Sequence, residues 1–169
     1  APLPGTCPHP PLRAPPGYFT LPYLVHARAE HVHACELDPD ALSALRHNLR
    51  ANGVDARCTV HAGDNADSAP AFAGCAHRVN LGLIPSSELA WPVAVRALRP
   101  AGGTLHVHMV VGDGAEGAFV AKLQAELSAI AAAAGRAELE ARVVHVERVK
   151  WYAPKLRHVV ADVTMVARR

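Results

Sequence analysis

Two acidic residues stand at the ends of short β-forming runs. Glu36 closes the run from Glu30 to Cys35, and Asp64, followed by Asn65, comes just after the run Arg57 to His61. Short runs of this kind, bounded by turn-forming residues, read as strands. In an open α/β sheet the ligand lies outside the carboxyl ends of the strands. A carboxylate at one tip can accept hydrogen bonds from both hydroxyls of a ribose. At the next tip Asp64 can accept from the exocyclic amine of an adenine, and Asn65 adds a donor and an acceptor. The three residues together describe a nucleoside site. A lone acidic residue at a strand end is ordinarily a helix cap or a solvated loop. Two at consecutive tips weaken that reading, because adjacent parallel strands lie about 4.8 Å apart and their loops border one crevice.

The elements that must hold these tips follow in chain order. Tyr18 to about Arg28 reads as a helix, with Phe19, Tyr23 and His26 at helical spacing and Pro22 in its first turn. The Glu36 strand comes next. Asp38-Pro39 is a helix start, an N-cap followed by proline at the first helical position. Leu42, Leu45 and Leu49 line that helix, and Gly53 stops it. Arg57 to His61 and His77 to Leu83 are the next strands, the latter running into Ile84-Pro85-Ser86-Ser87. A helix is predicted from about Trp91 to Leu98, a strand from Thr104 to Val111, and a long helix from Ala115 to Ala134. The core stripe of that helix is expected at Val120, Leu123, Leu127, Ile130 and Ala134. Two Val-rich strands, Arg142 to Val149 and Arg157 to Val166, close the chain, joined by the loop Lys150 to Leu156. This alternation, ending in an antiparallel pair, predicts an α/β fold with a mostly parallel sheet covered on both faces.

Composition bounds the answer. A length of 169 residues suits one domain, and 50% hydrophobic residues suffice for a core. A net charge of +2 does not by itself argue for a nucleic-acid partner. The four cysteines, Cys7, Cys35, Cys58 and Cys75, show no CxxC spacing and are expected as free thiols in a reducing compartment. No run is long and apolar enough to predict a membrane span, and no secretory signal is seen, which leaves the cytoplasm as the expectation. Residues 1–16 are rich in proline and read as an extended or disordered leader, neither helix nor central strand.

A metal at the pairs His31/His33 or His106/His108 would need a third ligand and usually a nearby carboxylate, so no metal is expected and they read as strand-surface or core histidines. No nucleophile elbow surrounds Ser86 and Ser87, which leaves helix capping or substrate contact. Lys150, Trp151 and Tyr152 should exit at the same edge as Glu36. There a cation beside aromatics can meet a phosphate and a stacked base, or Trp151 can simply cover the core.

Long stretches add a resemblance. GYFTLPYLVHA (17–27), HVHACELDPDALSALRHNLRANGV (31–54) and GDN (63–65) closely resemble S-adenosylmethionine-dependent enzymes that modify position 37 of tRNA. These include the guanine-37 N1-methyltransferases and the wybutosine-synthesising protein 2 family, which transfers an aminocarboxypropyl group to tRNA-Phe. RVNLGLIPSSELAWPVAVRALRPAGGTLHVH (78–108) looks like the latter, and ERVKWYAPKLRHVVADV (147–163) also matches.

The resemblance implies a class I methyltransferase-like, Rossmann-like sheet with S-adenosylmethionine as cofactor. It places Glu36 on the cofactor ribose, Asp64 and Asn65 at the adenine, and Gly17, Tyr18 and Phe19 at the end of the first cofactor loop. Leu83 to Ser87, hence Pro85, Ser86 and Ser87, would face the transferred group and the target base, with Lys150 and Tyr152 on the substrate side. The implied reaction moves the 3-amino-3-carboxypropyl group to C7 of 4-demethylwyosine-37 in tRNA-Phe, and methylthioadenosine leaves. The implied partner is tRNA and not DNA, and no catalytic residue is singled out. Guanine-37 methylation and a non-catalytic fragment are the alternatives.

In one place the pattern departs. PPLRAPP (10–16) stands where the family has a strand ending in an acidic, Gly-rich loop of the kind DLYAGIG. The first, central strand is therefore expected to be missing, and residues 17–169 to form an incomplete transferase domain. The chain reads as a truncated or alternatively spliced product without the family's N-terminal RNA-contacting domain.

Overall fold

The structure, a computed structural model, describes residues 6–8 and 18–168. Seven strands form one sheet: β1 (Thr6–Pro8), β2 (Val32–Glu36), β3 (Cys58–Ala62), β4 (Arg78–Leu81), β5 (Gly103–Gly112), β6 (Leu139–Ala153) and β7 (Leu156–Ala167). Their order is β3-β2-β1-β4-β5-β7-β6. The first five in sequence are parallel, while β7 runs antiparallel to both β5 and β6. The helices are α1 (Thr20–Val25), α2 (Pro39–Ala51), α3 (Asn65–Ser68), α4 (Trp91–Ala97) and α5 (Glu116–Ala133).

The expectation of a missing central strand is corrected. Thr6–Pro8 occupies that slot, pairing with β2 through Thr6↔Val32 and with β4 through Thr6↔Arg78, Cys7↔Val79 and Pro8↔Asn80. The physical reason is the cost of two facing rows of unpaired backbone groups on β2 and β4. An extended, proline-restricted segment can satisfy them over a short length. Pro8 has no N–H to donate, and it stands last in a strand of only three residues. The rest of the expected leader lies outside the described residues.

Local chemistry sets the other boundaries. The Asp38 carboxylate accepts from the backbone N–H groups of Asp40 (2.8 Å) and Ala41 (3.1 Å), with Pro39 at the first helical position. Helix α1 is shorter than expected and ends before Arg28, which takes the left-handed conformation at φ 51°. In α5 the buried stripe is Phe119, Leu123, Leu127 and Ala131 rather than the one centred on Val120 and Ile130.

The core lies in two layers. Helices α1 and α2 cover one face through Leu24, Val32, Ala34, Leu45, Leu49 and Val54. Helices α4 and α5 cover the other through a cluster that includes Trp91, Leu98, Leu105, Leu123 and Val159. Arg136 ties α4 to α5. Its guanidinium donates to the carbonyls of Val95 (2.7 Å), Leu98 (2.9 Å), Arg99 (2.6 Å) and Pro100 (3.3 Å). It thereby satisfies the carbonyl groups that the end of a helix leaves open.

The closing strands are longer than expected. β6 continues through Trp151 and Tyr152 to Ala153, so the predicted seven-residue loop shrinks to the turn Pro154-Lys155. Proline followed by a residue at φ 60° is the pattern of a type II turn. The histidine pairs lie on strands. His33 and His61 share a 3.0 Å hydrogen bond across β2 and β3, and His106 bonds Asp162 at 2.7 Å. Cys35 and Cys58 are free thiols, and burial pushes both up to about 12. No helix among the described residues is long and apolar enough to cross a membrane.

Candidate functional site

From β1 the chain proceeds toward β2 and β3 on one side of the sheet, and β4 begins the other side. The point where the order reverses lies between β1 and β4, and there a crevice opens at the carboxyl ends of an α/β sheet. The predicted acidic tips border it. Glu36 ends β2 opposite Ala62 of β3, and the Gly63 N–H donates to the Glu36 carbonyl at 2.9 Å. Asp64 is the next residue, so the two acids sit on neighbouring tips joined by one backbone hydrogen bond.

Their carboxylates are held differently. Glu36 Oε1 accepts from the Asp38 N–H at 3.0 Å, and Oε2 has no partner among the described residues. A carboxylate fixed through one oxygen presents the other in a set direction, which suits a diol. Asp64 Oδ1 accepts from the Ala66 N–H at 2.7 Å and caps α3, while the side chain stays exposed. The cap reading and the ligand reading are therefore both open to Asp64, through its two oxygens. Asn65 is buried at 7% exposure in the first position of α3.

The opposite wall is built on β4, β5 and the start of α1. Phe19 stands edge-on to Tyr18 (centroids 4.9 Å apart) and to His108 of β5 (5.2 Å). Gly82 admits it: a Cβ there would lie 3.0 Å from Phe19 Cε2 and 3.3 Å from Asn80 Nδ2. Phe19 thus forms the floor, and Tyr18 is exposed above it. His108 Nδ1 and His158 Nε2 are 3.0 Å apart, and both residues are buried. Burial, then the charges of His158 and His106, bring His108 down to about 4, so it is neutral near pH 7.

The loop after β4 is stitched to β5 by the Val110 N–H donating to the Pro85 carbonyl (2.8 Å) and by a bridge between Ser86 and Met109. Pro85 is exposed and Ser86 half-buried, with Ser86 Oγ accepting from the Glu88 N–H at 3.2 Å. Ser87 departs from expectation. It is fully buried, donates to the His108 carbonyl (3.1 Å) and accepts from Trp91 Nε1 (3.2 Å). Its hydroxyl is consumed in the core because Trp91 brings an indole N–H there that needs an acceptor. Ser87 shapes the loop and does not face a substrate. Lys150 and Tyr152 are exposed on β6, which runs in the direction of β5, and so lie toward the crevice edge.

Sequence reasoning missed Asn80, Gly82, His108 and His158. Asn80 is 2% exposed, and its Nδ2 has no partner among the described residues. A buried amide donor left unpaired at a switch point is a ligand contact in waiting, since desolvating it without a partner costs about 1–3 kcal/mol. The signal was present, an asparagine inside the otherwise apolar run Val79-Asn80-Leu81.

The TRM5/TYW2 methyltransferase domain model matches residues 12–137. The chain belongs to this family. A tRNA wybutosine-synthesizing protein 2/3/4 of Arabidopsis thaliana is 54% identical over 147 residues, covering 87% of this chain and 14% of that protein. A tRNA wybutosine-synthesizing protein 2 homolog of Danio rerio is 44% identical over 176 residues, covering 86% of this chain and 43% of that protein. The chain thus spans less than half the length of these relatives. Among solved structures, M. jannaschii TYW2 in complex with AdoMet superposes with a TM-score of 0.79 at 22% identity, covering 97% of this chain and 69% of that one. P. horikoshii TYW2 in complex with MeSAdo gives 0.78 at 24% identity, covering 96% and 56%. These likenesses show that the TRM5/TYW2 member described here has the sheet of that fold.

Proposed function

We propose that this chain is the cofactor-binding domain of a tRNA-Phe aminocarboxypropyl transferase. It would use S-adenosylmethionine and act on 4-demethylwyosine at position 37, in the cytoplasm. The observation that carries the reading is the pair of acidic tips on β2 and β3, to one side of the switch point and across from a wall whose Asn80 amide donor has no partner among the described residues. The relatives named for wybutosine synthesis and the solved TYW2 complexes with AdoMet and MeSAdo support it. Fixed through Oε1, Glu36 would take the ribose hydroxyls on Oε2. Asp64 and Asn65 would hold the adenine edge. Tyr18 and Phe19 would border the sulfonium side, and Asn80 Nδ2 would donate to whatever enters beside it.

When bound, S-adenosylmethionine supplies an already activated sulfonium leaving group. The residues therefore have mainly to position, exclude water and choose which carbon is presented. Gly82 to Ser86 is the wall suited to that choice, because its backbone is fixed on β5 at Pro85 and Ser86. No described residue is assigned as a general base.

The deciding experiment is product analysis with S-adenosylmethionine and tRNA-Phe carrying 4-demethylwyosine. Release of methylthioadenosine is expected. S-adenosylhomocysteine would instead assign methyl transfer, and the absence of both would leave a non-catalytic fragment.

A further inference from the structure

The β6–β7 hairpin carries a feature that the crevice does not explain. Three register shifts in its ladder leave Val144, Val149 and Tyr152 as the extra residues. All three are exposed, and so are Trp151 (53%) and Leu156 (40%). β-bulges on an edge strand commonly guard it against pairing with another chain. Charges perform that task, however, and two adjacent exposed aromatics oppose it. Here Trp151, Tyr152, Ala153, Pro154 and Lys155 line one open, shallow hollow at the tip.

Basic and acidic side chains both stand near the hollow. Arg157 lies over the Trp151 ring at 3.6 Å and covers one face of it. Arg157 and Arg148 are engaged by Asp113 (3.6 Å) and Glu116 (2.8 Å), whereas Lys150 and Lys155 have no ion-pair partner among the described residues. Lys155 holds φ 60°, a conformation that glycine or asparagine adopts at lower cost. The Asp113 N–H donates to its carbonyl at 3.0 Å and fixes the turn against the end of β5. An aromatic backed by a guanidinium, a second aromatic beside it and the ammonium group of Lys155 make a stacking platform with a phosphate contact, while Lys150 pairs with His158 and lies on the other face of the hairpin.

The platform also sits at a useful distance. Pro85 is bonded to β5 at Val110, whose cross-strand partner is His158 of β7, which in turn faces Lys150 of β6. Three strand spacings place Lys150, one residue before the hollow, about 14 Å from the loop after β4. An unpaired RNA loop spans that distance with a few nucleotides, whereas its paired stem presents no free base face.

We propose that the hairpin tip binds an unpaired nucleotide flanking the base that enters the crevice. Its base would stack on Trp151 beside Tyr152, with a phosphate on Lys155. This rests on reading the chain as an RNA-modifying enzyme.

The test uses the chain's own fluorescence. It has two tryptophans, and Trp91 is 1% exposed, so static quenching by a ligand reports Trp151. An RNA stem-loop with a purine-rich single-stranded loop should quench saturably, and a fully paired duplex should not. By anisotropy of the labelled stem-loop, Trp151→Ala should weaken binding on the order of tenfold, with Trp151→Phe recovering most of it. Lys155→Gln should flatten the dependence of log affinity on log salt by about one. Equal quenching by duplex, or Trp151→Ala within about twofold of wild type, overturns the proposal. So does concentration-dependent self-association that Trp151→Ala abolishes while RNA affinity stays unchanged, because the tip is then a protein contact. S-adenosylmethionine titration by calorimetry, expected to be unchanged in Trp151→Ala, reads the cofactor site separately from the platform.

Discussion

Acidification should loosen the crevice through one histidine. His108 touches the ring of Phe19, accepts from Ser87 on its backbone carbonyl and bonds His158, so it joins the start of α1, the loop after β4 and the hairpin. Its folded pKa of about 4 lies below the unfolded value near 6.5, mainly because of burial, with the charges of His158 and His106 adding and Asp162 opposing. The neutral form is therefore the folded form. Its contribution to stability is complete above about pH 6.5, declines as the pH falls toward 4, and is gone below that. The full difference corresponds to about 3 kcal/mol. Between about pH 7 and about pH 5 the share lost is about 2 kcal/mol. His108→Phe keeps a ring against Phe19 and removes the titration, at about 1–2 kcal/mol near pH 7 for leaving His158 Nε2 unpaired. Urea unfolding followed by tryptophan fluorescence at both pH values measures this. The wild type should lose about 2 kcal/mol more than the variant on acidification. Losses that agree within about 0.5 kcal/mol would refute the role assigned to His108.

Other expectations follow from buried partners. Ser87→Ala leaves the Trp91 indole N–H without an acceptor and should destabilise by about 1–3 kcal/mol. The check is the urea midpoint, and Ser87→Thr should recover part of the loss. Arg136→Ala opens the carbonyls at the end of α4 and should cost about 2–3 kcal/mol, whereas a change at an exposed arginine such as Arg46 should stay within about 0.5 kcal/mol. Gly82→Ala should displace Phe19 and weaken cofactor binding more than it lowers the melting temperature, by calorimetry beside a thermal melt.

Much of the site was legible because its signals are local. Asp38-Pro39 announces a helix start on its own, and Glu36 is placed by the strand that immediately precedes it. The rest depends on partners distant in sequence. Thr6–Pro8 enters the sheet because β2 and β4 need a neighbour, and proline statistics for long strands argue against it. Ser87 turns inward because Trp91 folds over it, and His108 meets His158 only once β7 inserts beside β5. The reach of β6 was hidden by three bulges, which break the alternation that marks a strand.

The reading rests on a pocket for an adenosine-bearing cofactor at the switch point, bordered on one side by the tips of β2 and β3. Calorimetric titration of S-adenosylmethionine into the wild type, Glu36→Ala and Asp64→Ala tests it most directly. Measurable heat is expected with the wild type and a loss of about 1–3 kcal/mol of binding free energy in each variant, with stability lowered by no more than the lost capping hydrogen bond, about 1 kcal/mol. Binding of equal strength in all three proteins, or no binding in any, would contradict it.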